Sequence, residues 1–409
     1  MIQDKTNVVI MGGGIIGSLL ALILGLNGLE VILIDKESSD RLNSNSYDGR
    51  SYALNKGSQR LLVAINIWDE IKNNTQIVSR VILQQGIDIV SLQPFELQFC
   101  DYEIDNENIF FMVEDRFLRK VILKHIQKCI NIKHLTSKTV KGQKIVDGLI
   151  EIILDDSQII KAELAIGSDG SPSKSASRAK IKNIDNNYIQ SSITGVVRHK
   201  NNHKNEAVQI FLPSGPLAIL PLKGNRSCYV WTMETKQAKI INSLNKDSFL
   251  EKLRKVFDNR RGELELDTPK SIFPISLEIA EKLVNEKFAL IGDSAHKIHP
   301  IAGQGLNLGI RDVASLAEVV ILARRGGEDI GDINVLKRYS KWRNLDVITM
   351  SIFTDITNNL FSNDNFLLQI GRGLTFNFIN NSPRIKNYLM KEASGLMGDI
   401  PKLLQGRNI

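Results

Sequence analysis

Cysteine is scarce in this chain of 409 residues, which contains only Cys100, Cys129 and Cys228. The three cysteines lie far apart and form no CxxC pair, so they predict neither a disulfide framework nor a zinc site, and a reducing, cytoplasm-like compartment fits. Long apolar runs are also lacking, since no uninterrupted run reaches the length of a membrane-spanning helix. The apolar N-terminal stretch contains three consecutive glycines and follows Asp4, which argues against a signal peptide.

An acidic excess is lacking as well. Lys and Arg number 52 against 45 for Asp and Glu, which gives a formal net charge of +7. That balance would suit an anionic cofactor, a membrane surface or nucleic acid. However, the basic residues are scattered and no basic stripe is interleaved with aromatic side chains, so nucleic-acid binding is not indicated. The length and the 43% hydrophobic content predict a globular protein of two or three domains.

Glycine, in contrast, is concentrated in motifs. Residues 12–17 read GGGIIG, a GxGxxG pattern between a predicted strand and a predicted helix. In such a pattern Gly12 allows the tight turn, Gly14 lets the backbone approach a pyrophosphate, and Gly17 permits close packing of helix on strand. Asp35 ends the next predicted strand, at the spacing expected of a ribose-binding carboxylate. These features predict a dinucleotide with an unphosphorylated ribose 2′-hydroxyl, as in FAD or NAD.

Two more aspartates follow buried strands. Asp169 stands in AIGSDGSPS, for which a turn at the sheet edge would be a sufficient explanation in isolation. Asp293 follows the predicted strand from Phe288 to Ile291. Because α/β sheets present ligand-binding groups at the carboxyl ends of their strands, a carboxylate at Asp293 could accept hydrogen bonds from sugar-like hydroxyls.

A glycine-rich segment then leads into a helix. Residues 302–307 read AGQGLN, and apolar periodicity from Leu306 to Val319 predicts that a helix begins there. The free N–H groups and the positive dipole end of this helix suit an anionic ring edge, such as that of a reduced flavin. The alternative is a strand, a turn and a core helix without a ligand. His296 and His299 have i, i+3 spacing, but no third ligand cluster lies nearby, so a metal site is not indicated.

The GxGxxG, DG and GD motifs stand in the order that they have in class A flavoprotein aromatic hydroxylases. More narrowly, IGDSAHKIHPIAGQGLNLGIRDVASLAE resembles the ubiquinone-biosynthesis hydroxylase family almost residue for residue. Other segments agree with that family in order along the whole chain, namely YDGRSYALNKGSQRLL, VQIFLPSGPLAILPLKGNRSCYVWT, LKRYSKWRNLD and GLMGDIPKLLQG.

The resemblance implies an α/β fold similar to that of p-hydroxybenzoate hydroxylase, with a discontinuous Rossmann-like FAD-binding domain, an inserted β-rich substrate domain and a C-terminal helical segment. The predicted strand order also favours a discontinuous nucleotide domain, because the N-terminal βαβ unit and the strand before Asp293 must meet around one ligand. We expect the FAD-binding domain at 1–80, 110–185 and 270–345, the β-rich domain at 81–109 and 186–269, and the helical segment at 346–409.

The resemblance also implies roles for individual residues around FAD. The ADP half would be held by Gly12, Gly14, Gly17 and Asp35, and the ribityl chain by Asp293. The backbone N–H groups that would meet the flavin pyrimidine edge belong to Gly305, Leu306 and Asn307.

Four further positions carry implied roles or departures. Arg50 matches an arginine near the FAD phosphates, with an exposed ion pair as the ordinary alternative, and Asp169 supports both FAD and the reductant site. Pro300 would lie over the flavin face and shape the pocket for oxygen and substrate. Asp115 stands where relatives often carry Gln, Arg or Asn.

The DG motif departs from the family at one place. Relatives usually carry an arginine six residues after the glycine, where this chain has Ala176. Arg178 follows two residues later. Either Arg178 substitutes through a shifted turn or the role is lost, so the site of the reductant is less well defined than that of FAD.

The activity that the resemblance implies is hydroxylation of a polyprenylated phenol by O2 through a flavin C4a-hydroperoxide, with electrons from NAD(P)H or from ferredoxin and its reductase. No general base is identifiable, because Tyr229, Gln209 and His203 are no better candidates than structural residues. The alternatives are a flavin reductase of the geranylgeranyl-reductase type and a non-catalytic FAD-binding subunit of a quinone-synthesis complex.

The expected location is the cytoplasm, with a hypothetical peripheral contact to the inner face of the membrane. Apolar segments such as FLPSGPLAILPL would line the substrate pocket, and the apolar section from Ile348 to Ile379 would provide the membrane contact. The alternative, that these C-terminal helices pack on the body of the protein, is equally compatible with their composition. Subunits of a quinone-biosynthesis complex are the other expected partners.

Overall fold

The computed structural model describes residues 3–42, 44, 46–86, 92–100, 108, 110–257, 261–298, 305–344, 379 and 381–409. Elements are numbered in chain order. Within those ranges, no helix combines the length and the apolar character that crossing a membrane requires.

Among the described residues, the first sheet has eight strands and contains the predicted βαβ unit. Its members are β1 (Gln3–Met11), β2 (Val31–Ile34), β8 (Ile132–Leu135), β9 (Val140–Val146), β10 (Leu149–Leu154), β11 (Ile159–Gly167), β18 (Val284–Asn285) and β19 (Phe288–Leu290). The order is β18-β19-β11-β1-β2-β8, with β9 and β10 as an antiparallel extension of β11. The central pairs β19-β11, β11-β1, β1-β2 and β2-β8 are parallel, so the carboxyl ends of these strands share one edge.

Continuous apolar sequence explains why β1 lies at the centre of this sheet. Val8, Val9 and Ile10 are fully buried, as expected of a parallel strand that is covered on both faces. The helix α1 (Ile15–Leu26) is apolar on nearly all sides, and it packs against two other helices, α5 (Asp115–Lys128) and α9 (Gly305–Arg325).

In the part of the chain that the structure describes, the second sheet has nine strands. They are β5 (Arg80–Gly86), β6 (Leu92–Cys100), β12 (Asn183–His199), β13 (Glu206–Leu212), β14 (Gly215–Leu222), β15 (Arg226–Glu234), β16 (Leu264–Leu266), β17 (Ser271–Ala280) and β20 (His296–Lys297). One face is covered by α7 (Thr235–Ser243) and α8 (Lys246–Val256), where Trp231, Phe249 and Leu253 form the centre of a separate core. Since β19 belongs to the first sheet and β20 to the second, the segment containing Asp293 passes directly from one sheet to the other.

A third sheet has the order β3-β7-β4, with β3 (Ser51–Asn55), β4 (Thr75–Val78) and β7 (Phe110–Glu114). It packs through Ala53, Val78 and Met112 against the face of the second sheet opposite α7 and α8. The other helices are α2 (Ser39–Leu42), α3 (Lys56–Ala64), α4 (Trp68–Ile71), α6 (Lys174–Arg178), α10 (residues 333–344) and α11 (Pro383–Ala393). Short 3-10 turns occupy Lys72–Asn74, Gly292–Ser294 and Lys402–Gln405.

The C-terminal segment packs on the body of the protein wherever it is described. Met390 of α11 contacts Phe99 and Phe110, and the Trp342 indole N–H donates to the Asp399 carbonyl at 2.9 Å. The predicted apolar section from Ile348 to Ile379 lies outside the described residues except for Ile379 itself.

Candidate active site

Three of the sequence motifs meet at one edge of the first sheet. Met11 pairs with Gly167 and Gly167 with Leu290, so the residues that follow β1, β11 and β19 are neighbours. The Ser168 N–H donates to the Met11 carbonyl at 2.8 Å, and the Ile291 N–H donates to the Gly167 carbonyl at 3.0 Å. The turn after β1, the DG segment and the GD segment therefore surround one location.

The three predicted glycines serve different purposes there. A Cβ at Gly12, whose φ is +115°, would lie 2.2 Å from the Ser168 carbonyl oxygen, and a Cβ at Gly17 would lie 2.0 Å from the Gly12 oxygen. A Cβ at Gly14 would meet nothing within 4 Å. Gly12 and Gly17 are thus required for chain packing, whereas Gly14 leaves open space at the start of α1. That helix has no acidic residue in its first turn and no side-chain cap, which suits an anion.

Asp35 follows β2 beside this turn and is 7% exposed. Its Oδ1 accepts a hydrogen bond from the Glu37 N–H at 2.9 Å. Burial raises the pKa of the carboxyl, although the hydrogen bond opposes that shift. A Cβ at Gly13 would lie 2.3 Å from the Asp35 Oδ2, so Gly13, which sequence reasoning missed, gives this carboxylate access to the turn.

The Asp169 carboxylate is directed into the protein. Its Oδ1 accepts from the hydroxyls of Ser173 at 2.7 Å, Ser175 at 2.7 Å and Ser294 at 3.1 Å, and its Oδ2 accepts from the Ser175 N–H at 2.8 Å. The Gly170 N–H also donates to the Ser294 hydroxyl at 2.9 Å. Asp169 therefore connects the DG segment to the GD segment.

Ala176 and Arg178 occupy different environments in α6. Ala176 is buried, and its N–H is capped by the Ser173 hydroxyl at 3.1 Å. The Arg178 guanidinium points toward β9 and the end of β1, where it donates to the Val140 carbonyl at 3.4 Å and approaches the Met11 sulfur at 3.9 Å. Within the described residues it has no carboxylate partner. Burial lowers its pKa from the ordinary arginine value.

Asp293 lies in the 3-10 turn that follows β19, at the edge where the motifs meet, and it is exposed. None of the residues that the structure describes donates a hydrogen bond to its carboxylate. Even so, partial desolvation by the surrounding chain raises the pKa of Asp293, and the positive potential of His296 and Lys297 opposes this. A carboxylate whose acceptor atoms receive no bond from the described residues is suited to accept hydrogen bonds from hydroxyl groups.

Behind Asp293 lies a buried cluster that sequence reasoning missed. The Asp312 Oδ2 accepts from the Gly292 N–H at 2.9 Å and lies 2.6 Å from the His296 Nε2, while its Oδ1 accepts from the Arg343 Nε at 2.7 Å. All three side chains are essentially inaccessible to solvent. In the sequence, the signal for this cluster was Asp312 itself, a charged residue within the largely apolar sequence of α9.

No group of three or more metal-binding side chains occurs among the described residues. The His296 Nε2 is instead engaged with Asp312. His299 and Pro300 lie outside the described residues.

The start of α9 is held through the Asn307 side chain. Its Oδ1 accepts from the Asn55 N–H at 3.0 Å and the Ser58 hydroxyl at 2.8 Å, and its Nδ2 donates to the Ala53 carbonyl at 2.8 Å. A Cβ at Gly305 would meet nothing within 4 Å, and no acidic residue lies in the first turn. The first N–H groups of α9 lack partners within the helix and border open space, while Leu306 packs on the core.

Arg50 and Asp115 are each neutralised by a neighbouring group. The exposed Arg50 guanidinium pairs with Asp48 at 2.7 Å. The buried Asp115 accepts a hydrogen bond from the Tyr52 hydroxyl at 3.0 Å and pairs with Arg119 at 3.2 Å. The negative charge at Asp115 is thus compensated within the chain, and Arg50 would have to exchange Asp48 for a phosphate.

One row of side chains on the second sheet is incompletely covered. It lies on the face of the sheet that contacts the third sheet. Backbone pairing aligns this row across six strands, and its side chains are half-buried or exposed: Leu83, Gln209, Ala218, Val230, Thr194 and Ser271. The adjacent residues Gln85, Phe211, Pro216, Thr232 and Ser192 are buried. At the usual spacing of about 4.8 Å between strands, the row is about 24 Å long.

The three residues considered above as a general base for the phenol lie in different positions relative to this row. Tyr229 lies on the opposite face, packed against Phe249 with ring centroids 5.8 Å apart. The His203 Nε2 donates to the Leu222 carbonyl at 3.0 Å, while its Nδ1 accepts from the Asn205 N–H at 3.0 Å. Only Gln209 among the three belongs to the open row.

Comparison with known proteins gives a consistent result. Residues 5–347 match the model of a family described as FAD binding domain. The ubiquinone hydroxylase UbiL of Rhodospirillum rubrum is 33% identical over 98% of this chain and 94% of its own length. The 3-demethoxyubiquinol 3-hydroxylase of Escherichia coli is 29% identical over 97% of this chain and 100% of its own length.

Solved structures of similar fold include the p-nitrophenol 4-monooxygenase of Pseudomonas putida, with a TM-score of 0.80, 17% identity and coverage of 97% of this chain and 99% of the other. The PqsL protein of Pseudomonas aeruginosa gives a TM-score of 0.77 at 18% identity, covering 88% of this chain and 98% of the other. The predicted fold class and the predicted family resemblance are both confirmed.

Proposed function

This chain belongs to the FAD-binding family that contains the ubiquinone hydroxylases, and we propose that it is an FAD-dependent monooxygenase that hydroxylates a polyprenylated phenol of ubiquinone biosynthesis. The observation that carries the proposal is the convergence of the GxGxxG turn, the DG segment and the GD segment at one sheet edge, in a chain whose second sheet leaves an open row.

The residues at this edge fit FAD. Gly14 and Gly305 leave room for an approaching group at two helix starts, and Asp35 and Asp293 offer carboxylate oxygens to hydroxyl groups. The proposed FAD-binding set is Gly12, Gly14, Gly17, Asp35, Arg50, Asp169, Asp293, Gly305, Leu306 and Asn307, with Asp169 acting by joining the DG and GD segments. When bound, FAD would supply the activation of O2 for hydroxylation. We propose an FAD-binding domain at 1–80, 110–185 and 270–345, a β-rich domain at 81–109 and 186–269, and a helical segment at 346–409. Within 270–345, however, β17 and β20 pair in the second sheet.

The open row is the proposed floor of the substrate site. Leu83, Ala218 and Val230 provide apolar contact for a prenyl chain, and Gln209 and Thr194 provide polar groups that could hold a phenol oxygen. Because Gln209 carries no titratable proton, its amide would orient the phenol rather than remove its proton. Pro300 is proposed to shape the pocket from the flavin side.

Electrons are proposed to come from NAD(P)H or from ferredoxin and its reductase. The Asp169 carboxylate is already satisfied by three hydroxyls and one N–H, so it would shape a reductant site without contacting the reductant. Arg178, which lacks a carboxylate partner among the described residues, is the nearby cation that could meet a phosphate. Comparing flavin reduction by NADH, NADPH and reduced ferredoxin would identify the donor.

A peripheral membrane contact and partner subunits of a quinone-biosynthesis complex are further parts of the proposal. On α11, Tyr388 is 57% exposed and Ile385 is 38% exposed, near Arg384, a combination of aromatic, apolar and cationic side chains that suits an anionic membrane surface. Flotation with anionic vesicles tests the contact. Unchanged flotation of a variant in which Tyr388 and Ile385 are both serine would contradict it.

Two experiments test the proposed function. Profiling quinone intermediates in cells that lack the protein should show accumulation of one polyprenylated phenol, and that compound identifies the missing hydroxylation. Given this phenol together with NAD(P)H or reduced ferredoxin as the reductant, the purified holoprotein should then consume O2, place one oxygen atom from labelled O2 in the product and release the other as water. Substrate reduction without O2 uptake would instead support the reductase alternative. A normal flavin spectrum without any turnover driven by NAD(P)H or ferredoxin would support the non-catalytic subunit.

A further inference from the structure

We infer that Asp312 is a positioning residue for the flavin site, which fixes the loop of Asp293 by binding that loop on both sides of Asp293. The inference rests on the proposed binding of FAD at Asp293. The relevant geometry is the convergence of Gly292 and His296 on one oxygen of Asp312.

The need for such a clamp follows from the surroundings of Asp293. Its carboxylate receives no hydrogen bond from the described residues, so within that part of the chain the backbone of the loop determines where the carboxylate lies. Gly292 has a φ of +60°, a conformation that side chains other than glycine rarely adopt, and the loop is one 3-10 turn long. The two bonds to Asp312 Oδ2, at 2.9 Å from the Gly292 N and 2.6 Å from the His296 Nε2, hold that turn at its beginning and its end.

The clamp is itself held by α10. Arg343 neutralises Asp312 at 2.7 Å, and Tyr339, one turn earlier on the same helix, donates its hydroxyl to the Leu290 carbonyl at 2.8 Å. Both side chains are fully buried. Leu290 is the last residue of β19, so α10 supports the strand end as well as the loop. A buried carboxylate with a cationic partner and further hydrogen bonds is a stable anchor, and its removal leaves uncompensated charge.

The consequence is a specific effect on affinity for the flavin half of the cofactor. When Asp312 is replaced by Asn, the shape remains but the charge is lost, and the loop should sample positions in which Asp293 misses the ribityl hydroxyls. Because FAD binding would then have to order the loop, the affinity for FAD would be lower. We expect the dissociation constant of FAD to rise at least tenfold in Asp312→Asn, comparable with the loss seen when residues that orient ligating groups are changed. The dissociation constant of ADP, which uses the Gly14 and Asp35 end, should change less than about twofold.

The experiment titrates deflavinated protein with FAD and with ADP, and records thermal unfolding of each protein. Lys287→Gln is the matched control, because Lys287 is also buried and charged, contacts Asp329, and immediately precedes β19 at the end away from the site. It should lower the thermal stability and leave the FAD affinity unchanged. If Asp312→Asn does not fold, Arg343→Lys, which keeps the cation, takes its place in the experiment. Arg343→Lys should also raise the dissociation constant of FAD, by a smaller factor.

A double-mutant cycle separates positioning from general destabilisation. If Asp312 acts through Asp293, Asp312→Asn should have no further effect on FAD affinity in the Asp293→Ala protein. An equal loss in both backgrounds, or wild-type affinity in Asp312→Asn, would overturn the inference. Failure of the proposed function would be visible separately, as a wild-type protein that binds ADP but not FAD, or that binds FAD and hydroxylates no phenol.

Discussion

The backbone N–H of Asn55 donates to the Asn307 Oδ1 at 3.0 Å, across 252 residues of sequence. The bond joins the end of β3 to the first turn of α9, and Asn55 in turn caps α3 by accepting from the Ser58 N–H at 2.9 Å. Through Asn307, the helix start proposed to face the flavin is therefore held by an element that lies far from it in sequence.

Replacing Asn307 by Ala should destabilise the protein by about 3 kcal/mol, because three buried hydrogen bonds are lost and their two donors and one acceptor on other residues lose this partner. Thermal unfolding measures this change. The control is Asn225→Ala, where an exposed amide donates to the Lys200 carbonyl at 3.2 Å and the cost should stay below about 0.5 kcal/mol. Equal costs for the two variants would show that Asn307 is not the anchor of α9.

Replacing Gly17 by alanine should lower stability, whereas replacing Gly14 by alanine should mainly lower the affinity for FAD. A Cβ at Gly17 would lie 2.0 Å from the Gly12 oxygen, so Gly17→Ala should cost about 3 kcal/mol of stability even without cofactor. Gly14→Ala should cost the deflavinated protein no more than about 1 kcal/mol, since glycine is the better helix N-cap but the new Cβ meets nothing within 4 Å, yet it should weaken FAD binding at least tenfold by filling the open cradle. Thermal unfolding and FAD titration of both variants provide the test. Wild-type affinity in Gly14→Ala would exclude the cradle as the pyrophosphate site.

Asp35→Asn should weaken FAD binding without lowering the stability of the deflavinated protein. Burial raises the pKa of Asp35, so the folded state binds this proton more tightly than the unfolded state, and stability is lost as pH rises from the ordinary carboxyl range through the raised pKa. Asn keeps an acceptor for the Glu37 N–H and removes this titration. The deflavinated variant should be at least as stable as wild type at pH 7 and should bind FAD tenfold or more weakly, through loss of a charged acceptor. Lower stability at neutral pH would contradict the role of burial.

Two buried histidines, His199 at the end of β12 and His203 in the loop that follows it, should make the protein sensitive to acid. His203 accepts the Asn205 N–H with its Nδ1, and the His199 Nδ1 contacts the Asn201 carbonyl at 2.8 Å while its Nε2 contacts the Ser227 hydroxyl at 2.9 Å. Burial lowers the pKa of both rings, and the positive charge of Arg261 adds to that shift.

The sign of the effect follows from proton binding. Between the lowered pKa and the ordinary value of about 6.5, the unfolded state binds more protons, so stability is complete above about pH 6.5 and falls as pH drops below it. His203→Gln, which retains a donor and an acceptor, should reduce this decline in thermal unfolding between pH 7 and 5. His125→Gln, which alters a surface contact to Glu70, should leave it unchanged. A pH profile identical to that of wild type in His203→Gln would refute the assignment.

Much of the fold could be predicted from local pattern. The glycines at 12–17 and the apolar strands around them predict a βαβ unit with Asp35 at its second strand end, because turn geometry and periodicity are encoded within about 30 residues. The helix from Leu306 onward followed from periodicity in the same way, and α9 begins at Gly305. The family was predicted from ordered motifs along the whole chain and is confirmed by the relatives.

Side-chain direction was not predictable. The DG motif drew attention to Asp169, but its carboxylate is engaged by Ser173, Ser175 and Ser294, and the last of these lies 125 residues away. Nothing in the sequence around Arg343 indicates that its guanidinium meets Asp312. Hydrogen bonds between distant segments depend on how the layers pack, and periodicity carries no information about that.

By itself, the sequence determined which backbone turns form, which strand ends carry carboxylates and to which family the chain belongs, since these properties depend on short-range sterics and on motif order. Only the tertiary structure decided which carboxylates face open space and which are consumed internally. None of the described residues donates a hydrogen bond to Asp293, and its loop is bound at Gly292 and His296 by Asp312 on another element, whereas the Asp169 carboxylate is engaged by three serines. The physical reason is that buried polar groups must find partners, and the available partners are set by packing across the whole fold.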